Sequence, residues 1–230
     1  MKAKKFLLIV GILVLALTLM ACNLTSLISQ VSNEVKNGVS SNGGESTSNV
    51  LFSDDFSKTS SGWDRLSDEY GENDYVDGTY QFQINAANYD LWANPGKNFT
   101  DTVIDVDATL VDGPEDNDFG VICRYTDSEN FYFAEIASDG YYIIGKYVDG
   151  SMSPLGSEQM VETDLVNGGN TTNHIRFECN GSNLALYIND SLADQVTDTD
   201  LTSGDVGLIA GDYDTTGVTV AFDNFVVTQP

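Results

Sequence analysis

The chain has 230 residues, of which 35 are acidic and ten are basic, so its formal net charge at pH 7 is −25. A protein this acidic, without a basic stripe, cannot neutralise nucleic-acid phosphates, and anionic lipid surfaces would repel it. The composition therefore excludes nucleic acid as a partner. It leaves a covalent anchor as the plausible route to a membrane.

Residues 1–21 have the pattern of a secretory signal peptide. A basic start is followed by an apolar run, and the run ends in the tetrapeptide LMAC, with Cys22 last. The small Ala21 lets a peptidase reach the bond before Cys22, whose thiol would then carry a diacylglycerol. The alternatives are a plain signal peptide with a chance cysteine and an uncleaved membrane anchor, for which the run is shorter than the roughly 20 residues of a span. We predict a bacterial lipoprotein, exported to the cell envelope and lipid-anchored at the membrane surface through Cys22.

Residues 22–49 are rich in Ser, Asn and Gly and contain no aromatic residue, which is typical of a flexible tether. Apolar residues at helical spacing between Leu24 and Val35 leave a short amphipathic helix as the alternative. Removal of the signal peptide would leave seven basic and 35 acidic residues, a formal charge of −28.

Residues 50–230 are predicted to form one all-β domain. Its turn signals are Asp-Gly at 77, 112, 139 and 149 and Asn-Gly at 180. Between them lie short β-type runs, namely TYQFQI, TVIDVDATL, FGVICRY, FYFAEIA, YYIIGKY, LALYI, VGLIA and VTVAFDNFVV. This spacing is expected of a sandwich or barrel, and the length is ample for a single core.

Two cysteines remain once Cys22 is set aside, and an even pair in an exported protein is a candidate disulfide. Cys123 and Cys179 each lie in an apolar, strand-like run. We predict that they form a bridge joining two strands; the alternative is two buried free thiols.

Five segments follow one another along the domain: LFSDDFSKTSSGW, YVDGTYQFQI, FGVICRYTDSENFYFAEIASDG, TSGDVGLIAG and FDNFVV. In this order they resemble the concanavalin A-like lectin/glucanase superfamily, and more narrowly its laminin-G-like and 3-keto-disaccharide hydrolase-type domains. The resemblance implies a jelly roll of two antiparallel sheets, with the first and last strands side by side. Many members bind carbohydrate on the concave face, but fold alone does not decide function.

No catalytic residue is predicted. Glucanases of this superfamily carry E-x-D-x-x-E on one strand, and the best match here, Glu72 to Asp77, replaces the last Glu with Asp and runs into a turn. The single histidine, His174, alternates with apolar residues and so faces solvent on a half-buried strand. One histidine also leaves no tetrahedral zinc set.

A structural calcium ion is possible where the ends of the domain meet. Asp54 and Asp55 near the first strand would converge with Asp223 and Asn224 near the last, if those strands pair as the resemblance implies. The alternative is that these side chains bond to turns and sheet edges.

The aromatic segment 118–150 is predicted to form three strands joined by a loop at 126–130 and a two-residue turn at 139–140. That register places Arg124 opposite Tyr132 and Tyr132 opposite Tyr147. The other face is assigned to the core and holds Phe119, Val121, Cys123, Tyr125, Phe133, Glu135, Tyr142, Ile144 and Lys146.

The row Arg124, Tyr132 and Tyr147 combines aromatic surface with planar donors, as sugar recognition requires. Its alternative is a Tyr/Arg cluster covered by a loop. Trp92, among residues that favour a loop, is a second candidate for ligand binding, whereas Trp63 is expected to pack against the sandwich.

We therefore predict a surface domain that binds a glycan or polysaccharide without cleaving it. Two alternatives remain open: a glycoside hydrolase or lyase acting on a modified disaccharide, and an adhesive or structural module.

Overall fold

The computed structural model describes residues 49–230, so the predicted signal peptide, Cys22 and most of the tether lie outside the described residues. No helix within 49–230 is long and apolar enough to cross a membrane. Sixteen strands make up this part of the chain: β1 (Val50–Asp54), β2 (Leu66–Ser67), β3 (Gly71–Val76), β4 (Thr79–Ile84), β5 (Tyr89–Ala93), β6 (Thr102–Asp112), β7 (Asp118–Asp127), β8 (Asn130–Ala137), β9 (Tyr141–Val148), β10 (Ser151–Pro154), β11 (Val161–Glu162), β12 (Asn173–Asn180), β13 (Asn183–Ile188), β14 (Ser191–Thr197), β15 (Asp205–Asp212) and β16 (Val218–Thr228).

Two antiparallel sheets are formed from these strands. The nine-stranded sheet has the order β14-β13-β12-β6-β16-β4-β3-β2, and β1 pairs with β16 beyond the end of β4. The seven-stranded sheet has the order β10-β9-β8-β7-β15-β5, with β11 on the same edge of β9 as β10. The two-sheet sandwich and the pairing of first and last strands, both predicted, are confirmed.

The core lies between the two sheets, where alternate residues of each strand point inward. β6 shows this in its burial pattern, with Thr102, Ile104, Val106, Ala108 and Leu110 buried and the residues between them less so. All the β-type runs named from the sequence are strands. The segment around Trp92, expected to be a loop, is instead strand β5, because it pairs with β15 through five successive residues.

The predicted disulfide is confirmed. Cys123 on β7 is bonded to Cys179 on β12, so the bridge joins the seven-stranded sheet to the nine-stranded sheet through the core. Both residues are fully buried. Trp63 also packs in the core, as expected, and its indole N–H donates to Asp54 Oδ2 at 2.9 Å.

The predicted register of β8 is wrong by one residue at both of its hairpins. Cys123, not Arg124, pairs with Tyr132, because β7 bulges between Cys123 and Asp127. The next hairpin has a three-residue loop, so Tyr132 pairs with Lys146 instead of Tyr147. Since the two errors cancel, β9 and the part of β7 before the bulge keep the predicted faces, while β8 is inverted. Tyr125, Phe133 and Glu135, all predicted for the core, therefore lie on the face turned away from the other sheet.

The seven-stranded sheet is curved, and its outer face, the one turned away from the other sheet, is concave. Strands β9 and β5 are four spacings apart, or about 19 Å on a flat sheet. Nevertheless Tyr147 Oη on β9 lies 3.4 Å from Asp90 Oδ2 on β5. The ring centroids of Phe131 on β8 and Trp92 on β5 are 5.7 Å apart. Side chains from such distant strands can meet only if the sheet bends around them.

Candidate functional site

Arg124 does not lie on the concave face. It is 3% exposed and occupies the bulge of β7 with φ of +53°. Its guanidinium donates to the carbonyls of Thr100, Leu201 and Gly181 at 3.1, 2.9 and 2.7 Å and to the Asp101 carboxylate at 3.2 Å. Four of its five N–H groups are therefore bound within the protein, which makes it a structural residue that joins the segments before β6 and β15 to the turn between β12 and β13.

Tyr132 is fully buried and faces the core rather than a ligand. Its hydroxyl donates to Asp198 Oδ1 at 2.5 Å and accepts from the Leu201 amide at 3.0 Å. The Lys146 ammonium binds the other oxygen of Asp198 at 2.5 Å, so it does not pair with Glu135. The predicted row of Arg124, Tyr132 and Tyr147 is consequently not formed.

The other two predicted residues, Tyr147 and Trp92, do share the concave face. They belong to an aromatic cluster completed by Tyr125, Phe131 and Phe133. The Tyr147 and Phe131 rings are stacked with centroids 4.7 Å apart and an interplanar angle of 27°. Phe131 and Phe133 are buried, whereas Trp92, Tyr125 and Tyr147 remain partly exposed. The aromatic cluster thus offers ring surface to solvent at its rim.

Three carboxyl groups lie beside the aromatic cluster on the same face: Asp90, Asp118 and Glu135, here named the carboxyl cluster. They come from three different strands, β5, β7 and β8. Asp90 and Asp118 flank Gly211 of β15, where a Cβ atom would stand 2.5 and 2.2 Å from their Oδ1 atoms. Only glycine fits there, because the two carboxylates occupy the space above it.

Glu135 is the most buried member of the carboxyl cluster. Its side chain is 5% exposed, and its Oε1 accepts no hydrogen bond from any residue between 49 and 230. Burial, together with the charges of Asp118 and Asp90, raises the pKa of Glu135 well above its ordinary value. No Lys or Arg between residues 49 and 230 forms an ion pair with Glu135.

The remaining members respond to the same environment. Burial raises the pKa of Asp118 to about 7, and the Asp90 charge adds to the effect. Desolvation also raises the pKa of Asp90, although its side chain is exposed, and the hydrogen bond from Tyr147 opposes that rise. Burial and the charges of Asp90 and Glu135 raise the pKa of Tyr147 to about 12. These four groups therefore form one electrostatically coupled site.

A groove of about 360 Å³ runs along β5 next to the site. Asp90 and Trp92 line it on one side, and Arg65 and Leu66 line it on another. The groove gives a ligand that touches Trp92 and Asp90 room to extend beyond the concave face.

The residues predicted to bind calcium are brought near one another by the pairing of β1 with β16. A pocket of about 390 Å³ is lined by Asp54, Asp55 and Asn224. However, Asp54 accepts hydrogen bonds from the Phe56 amide and the Trp63 indole, and Asp55 binds Ser57.

The fourth residue of that predicted calcium set, Asp223, bonds the Asn224 amide and faces a different pocket. Among residues 49–230, no three His, Cys, Asp or Glu side chains converge as a metal-binding group. Calcium binding stays a prediction.

The residues rejected as catalytic lie elsewhere. Glu72 and Asp74 are on β3 of the nine-stranded sheet, and Asp77 is in the turn that follows. His174 is on the outer face of the same sheet between Asp105 and Asp107, at 3.1 and 2.9 Å. None of these residues contributes to the concave face.

Asp90 and Asp118 were not predicted as site residues, because they lie on strands that are distant in sequence. One signal was available. Gly120, Gly145, Gly207 and Gly211 stand inside strands, where a glycine indicates close approach by other groups. At Gly145 the Phe133 ring lies 2.3 Å from the position of a Cβ atom. At Gly211 the carboxylates of Asp90 and Asp118 occupy the position of a Cβ atom.

Comparison with known proteins identifies the fold of this chain. No family model and no curated protein matches this chain. Among solved structures, the carbohydrate-binding module CBM66 from Bacillus subtilis is 19% identical, with a TM-score of 0.60 over 73% of this chain and 96% of that one. A β-glucanase of Bacillus licheniformis is 12% identical, with a TM-score of 0.58 over 80% and 100%. LamAcat from Zobellia galactanivorans is 15% identical, with a TM-score of 0.54 over 79% and 98%. At these identities the likeness is one of fold, and the fold of this chain is the concanavalin A-like jelly roll.

Proposed function

We propose that this domain binds carbohydrate, without cleaving it, on the concave face of the seven-stranded sheet. The observation that carries the proposal is the placement of partly exposed aromatic rings, Trp92 and Tyr147, beside the carboxylate of Asp90. An aromatic ring packs against the C–H face of a sugar, and a carboxylate accepts hydrogen bonds from its hydroxyls. The groove along β5 gives the chain of sugars a path away from the site.

The structures that share the fold support this class of ligand. One of them is named as a carbohydrate-binding module and another as a β-glucanase. Fold alone does not transfer function, so the proposal rests on the residues of the concave face.

We also propose that the domain works at a bacterial cell surface, as a lipoprotein anchored through Cys22. The support is the signal peptide pattern and the tetrapeptide LMAC at residues 19–22. Growth with labelled palmitate should label the wild-type chain in the membrane fraction and leave a Cys22→Ala variant unlabelled. Equal labelling of both proteins would contradict the anchor.

Glycan binding is tested with the full chain on a glycan array, followed by calorimetry on the glycans retained. Trp92→Ala and Tyr147→Ala should each weaken binding by about tenfold or more, the loss expected for a stacking ring. Tyr187→Ala is the matched control, since this partly exposed tyrosine lies on the outer face of the other sheet. Full retention of binding by both site variants would place the site elsewhere.

A second candidate function, glycoside hydrolysis, is favoured by the carboxyl cluster itself. Hydrolysis uses one protonated and one ionised carboxyl group around the scissile bond. Asp118, with its pKa raised to about 7, and the exposed Asp90 could fill these roles. Release of reducing sugar that is lost in Asp118→Asn would establish hydrolysis, whereas binding without release supports the proposal above. An adhesive module would give neither signal.

A further inference from the structure

The carboxyl cluster has no basic partner in the described part of the protein. Residues 49–230 contain six Lys and Arg side chains. Within this range the ion pairs of these residues go to other carboxylates, such as Arg65 to Asp74 and Lys146 to Asp198, and none goes to Asp90, Asp118 or Glu135. Three acidic groups therefore share one concave face without a cation.

Glu135 adds a second and independent indication of a missing partner. Its carboxyl group is buried, and Oε1 receives no hydrogen bond from the described residues. Leaving a polar atom buried and unpaired costs on the order of 1–3 kcal/mol, and a buried unpaired charge costs more. Glu135 pairs with Gly120 of β7, two residues from Asp118 on the same face of the sheet, so its unpaired atom belongs to the same site.

Two oxygen atoms of the carboxyl cluster converge above β15. The Oδ1 atoms of Asp118 and Asp90 both lie over Gly211, at the position that a Cβ atom would otherwise fill. The Tyr147 hydroxyl joins them through its hydrogen bond to Asp90, and the groove along β5 reaches the cluster at Asp90.

We propose that Asp90, Asp118 and Glu135 receive the ammonium group of an amino sugar, so that the preferred glycan carries free amines. This inference rests on the proposed function and specifies its ligand. An ammonium group has three donors, which three carboxyl groups can accept through charge-assisted hydrogen bonds. Trp92 and Tyr147 beside the cluster add a favourable surface for a cation. The net charge of −25 also disfavours sulfated or uronic glycans, which it would repel.

A metal ion is the less suitable occupant. Calcium requires six to eight oxygen ligands at about 2.3–2.6 Å. In the described part of the chain the acidic side chains do not converge to that degree. An ammonium group needs fewer contacts and longer distances, which the carboxyl cluster can provide.

The test uses three β-1,4-linked hexasaccharides that differ only at C2 of each sugar: glucosamine, N-acetylglucosamine and glucose. Calorimetry on the full chain at physiological salt, which screens non-specific attraction, should give about tenfold tighter binding of the glucosamine oligomer, or more. Glu135→Gln should reduce that preference to within about threefold while binding of the glucose oligomer persists. Glu178→Gln, on the outer face of the nine-stranded sheet, should keep the preference.

The outcomes separate this inference from the proposed function. Binding of all three oligomers with equal affinity would contradict recognition of the ammonium group and leave the proposed carbohydrate binding intact. No binding of any oligomer, together with a silent glycan array, would overturn both. A rise in melting temperature with millimolar Ca²⁺ that is lost in Glu135→Gln would identify the carboxyl cluster as a metal site, and it would also contradict binding of an ammonium group there.

If Glu135→Gln fails to fold, as judged by circular dichroism, Asp90→Asn replaces it, because Asp90 is exposed and its substitution leaves the core untouched. The same loss of preference is expected. A preference unchanged in a folded Asp90→Asn would contradict the placement of the ammonium group.

Discussion

The hydroxyl of Tyr147 donates a hydrogen bond to Oδ2 of Asp90 at 3.4 Å, across the three strands that separate β9 from β5. The Tyr147 ring is stacked on Phe131, so this contact joins the aromatic cluster to the carboxyl cluster. A ligand that binds Asp90 Oδ2 must therefore compete with Tyr147, whereas Oδ1, which lies over Gly211, takes no part in this bond. The ring and the hydroxyl of Tyr147 can therefore contribute separately to ligand binding.

Tyr147→Phe keeps the stacked ring and removes the hydrogen bond. Because the bond is long and exposed, we expect the free energy of unfolding to fall by less than about 1 kcal/mol. Glycan affinity should change by less than about threefold, in contrast to the loss expected for Tyr147→Ala. Calorimetry measures both variants. If Tyr147→Phe weakened glycan binding as much as Tyr147→Ala does, the hydroxyl of Tyr147, and not its ring, would recognise the ligand.

Asp118→Asn should stabilise the protein at pH 8 and have little effect at pH 4. The folded-state pKa of Asp118, raised to about 7, lies above its unfolded value of about 3.9. The stability linked to its proton is therefore fully present below pH 4 and is lost as the pH rises through 7. A permanently neutral Asn avoids that loss, by on the order of 2 kcal/mol at pH 8.

Urea unfolding at the two pH values measures this difference. Asp190→Asn is the control, since Asp190 is exposed in a turn with φ of +66°, a conformation that Asn also accepts. An equal effect of Asp118→Asn at both pH values would mean that the Asp118 carboxyl is not desolvated in solution.

Arg124→Met should destabilise the fold by about 3 kcal/mol, because it leaves buried carbonyl oxygens without donors. Arg124→Lys should recover little of the loss, since one ammonium cannot reach acceptors that lie around a planar guanidinium. Arg65→Met is the control: that residue forms an exposed ion pair with Asp74, worth at most about 1 kcal/mol. A loss of glycan binding by a folded Arg124→Met protein would restore Arg124 as a ligand contact.

His174→Gln should cost stability at pH 6 and little at pH 10. The hydrogen bond to Asp105, followed by the one to Asp107, raises the pKa of His174 to about 9 from an ordinary value near 6.5. The stability from its charged form is fully present below pH 6.5 and is lost as the pH rises through 9. The side chain is 34% exposed, so solvent screening limits the effect to about 1 kcal/mol. Thermal unfolding at the two pH values distinguishes this charge effect from a loss of packing, which would be the same at both.

Calcium at the junction of β1 and β16 is tested by melting the protein with EDTA and with excess CaCl₂. A bound structural ion would raise the melting temperature with CaCl₂, and Asp55→Asn should remove the increase. Identical curves would mean that Asp54 and Asp55 only hold their turns, as their hydrogen bonds to Phe56 and Ser57 indicate.

The fold could be predicted from sequence because its determinants are local. Alternation of apolar and polar residues marked β6, β12 and β16, and Asp77-Gly78 and Asp149-Gly150 form the two-residue turns that their positive φ values require. The disulfide was predicted from the cysteine count together with the predicted export. Each of these signals depends on a few neighbouring residues or on composition.

The site was harder to predict, because it depends on register and curvature. A bulge at Arg124 and one additional loop residue at Ser138 invert β8, which moves Tyr132 into the core and Glu135 onto the concave face. The side chains of Asp90 and Tyr147 meet only because the sheet bends. Neither a bulge nor the bending of a sheet has a reliable signature in a single sequence.

The bridge between Cys123 and Cys179, which are 56 residues apart in sequence, closes the segment between them into a covalent loop. That loop includes the exposed connection between β10 and β12, where a protease would find accessible backbone. A single cut there would leave one covalent molecule, whose two fragments separate only after reduction. A cut in this connection therefore need not release the concave face from the rest of the protein.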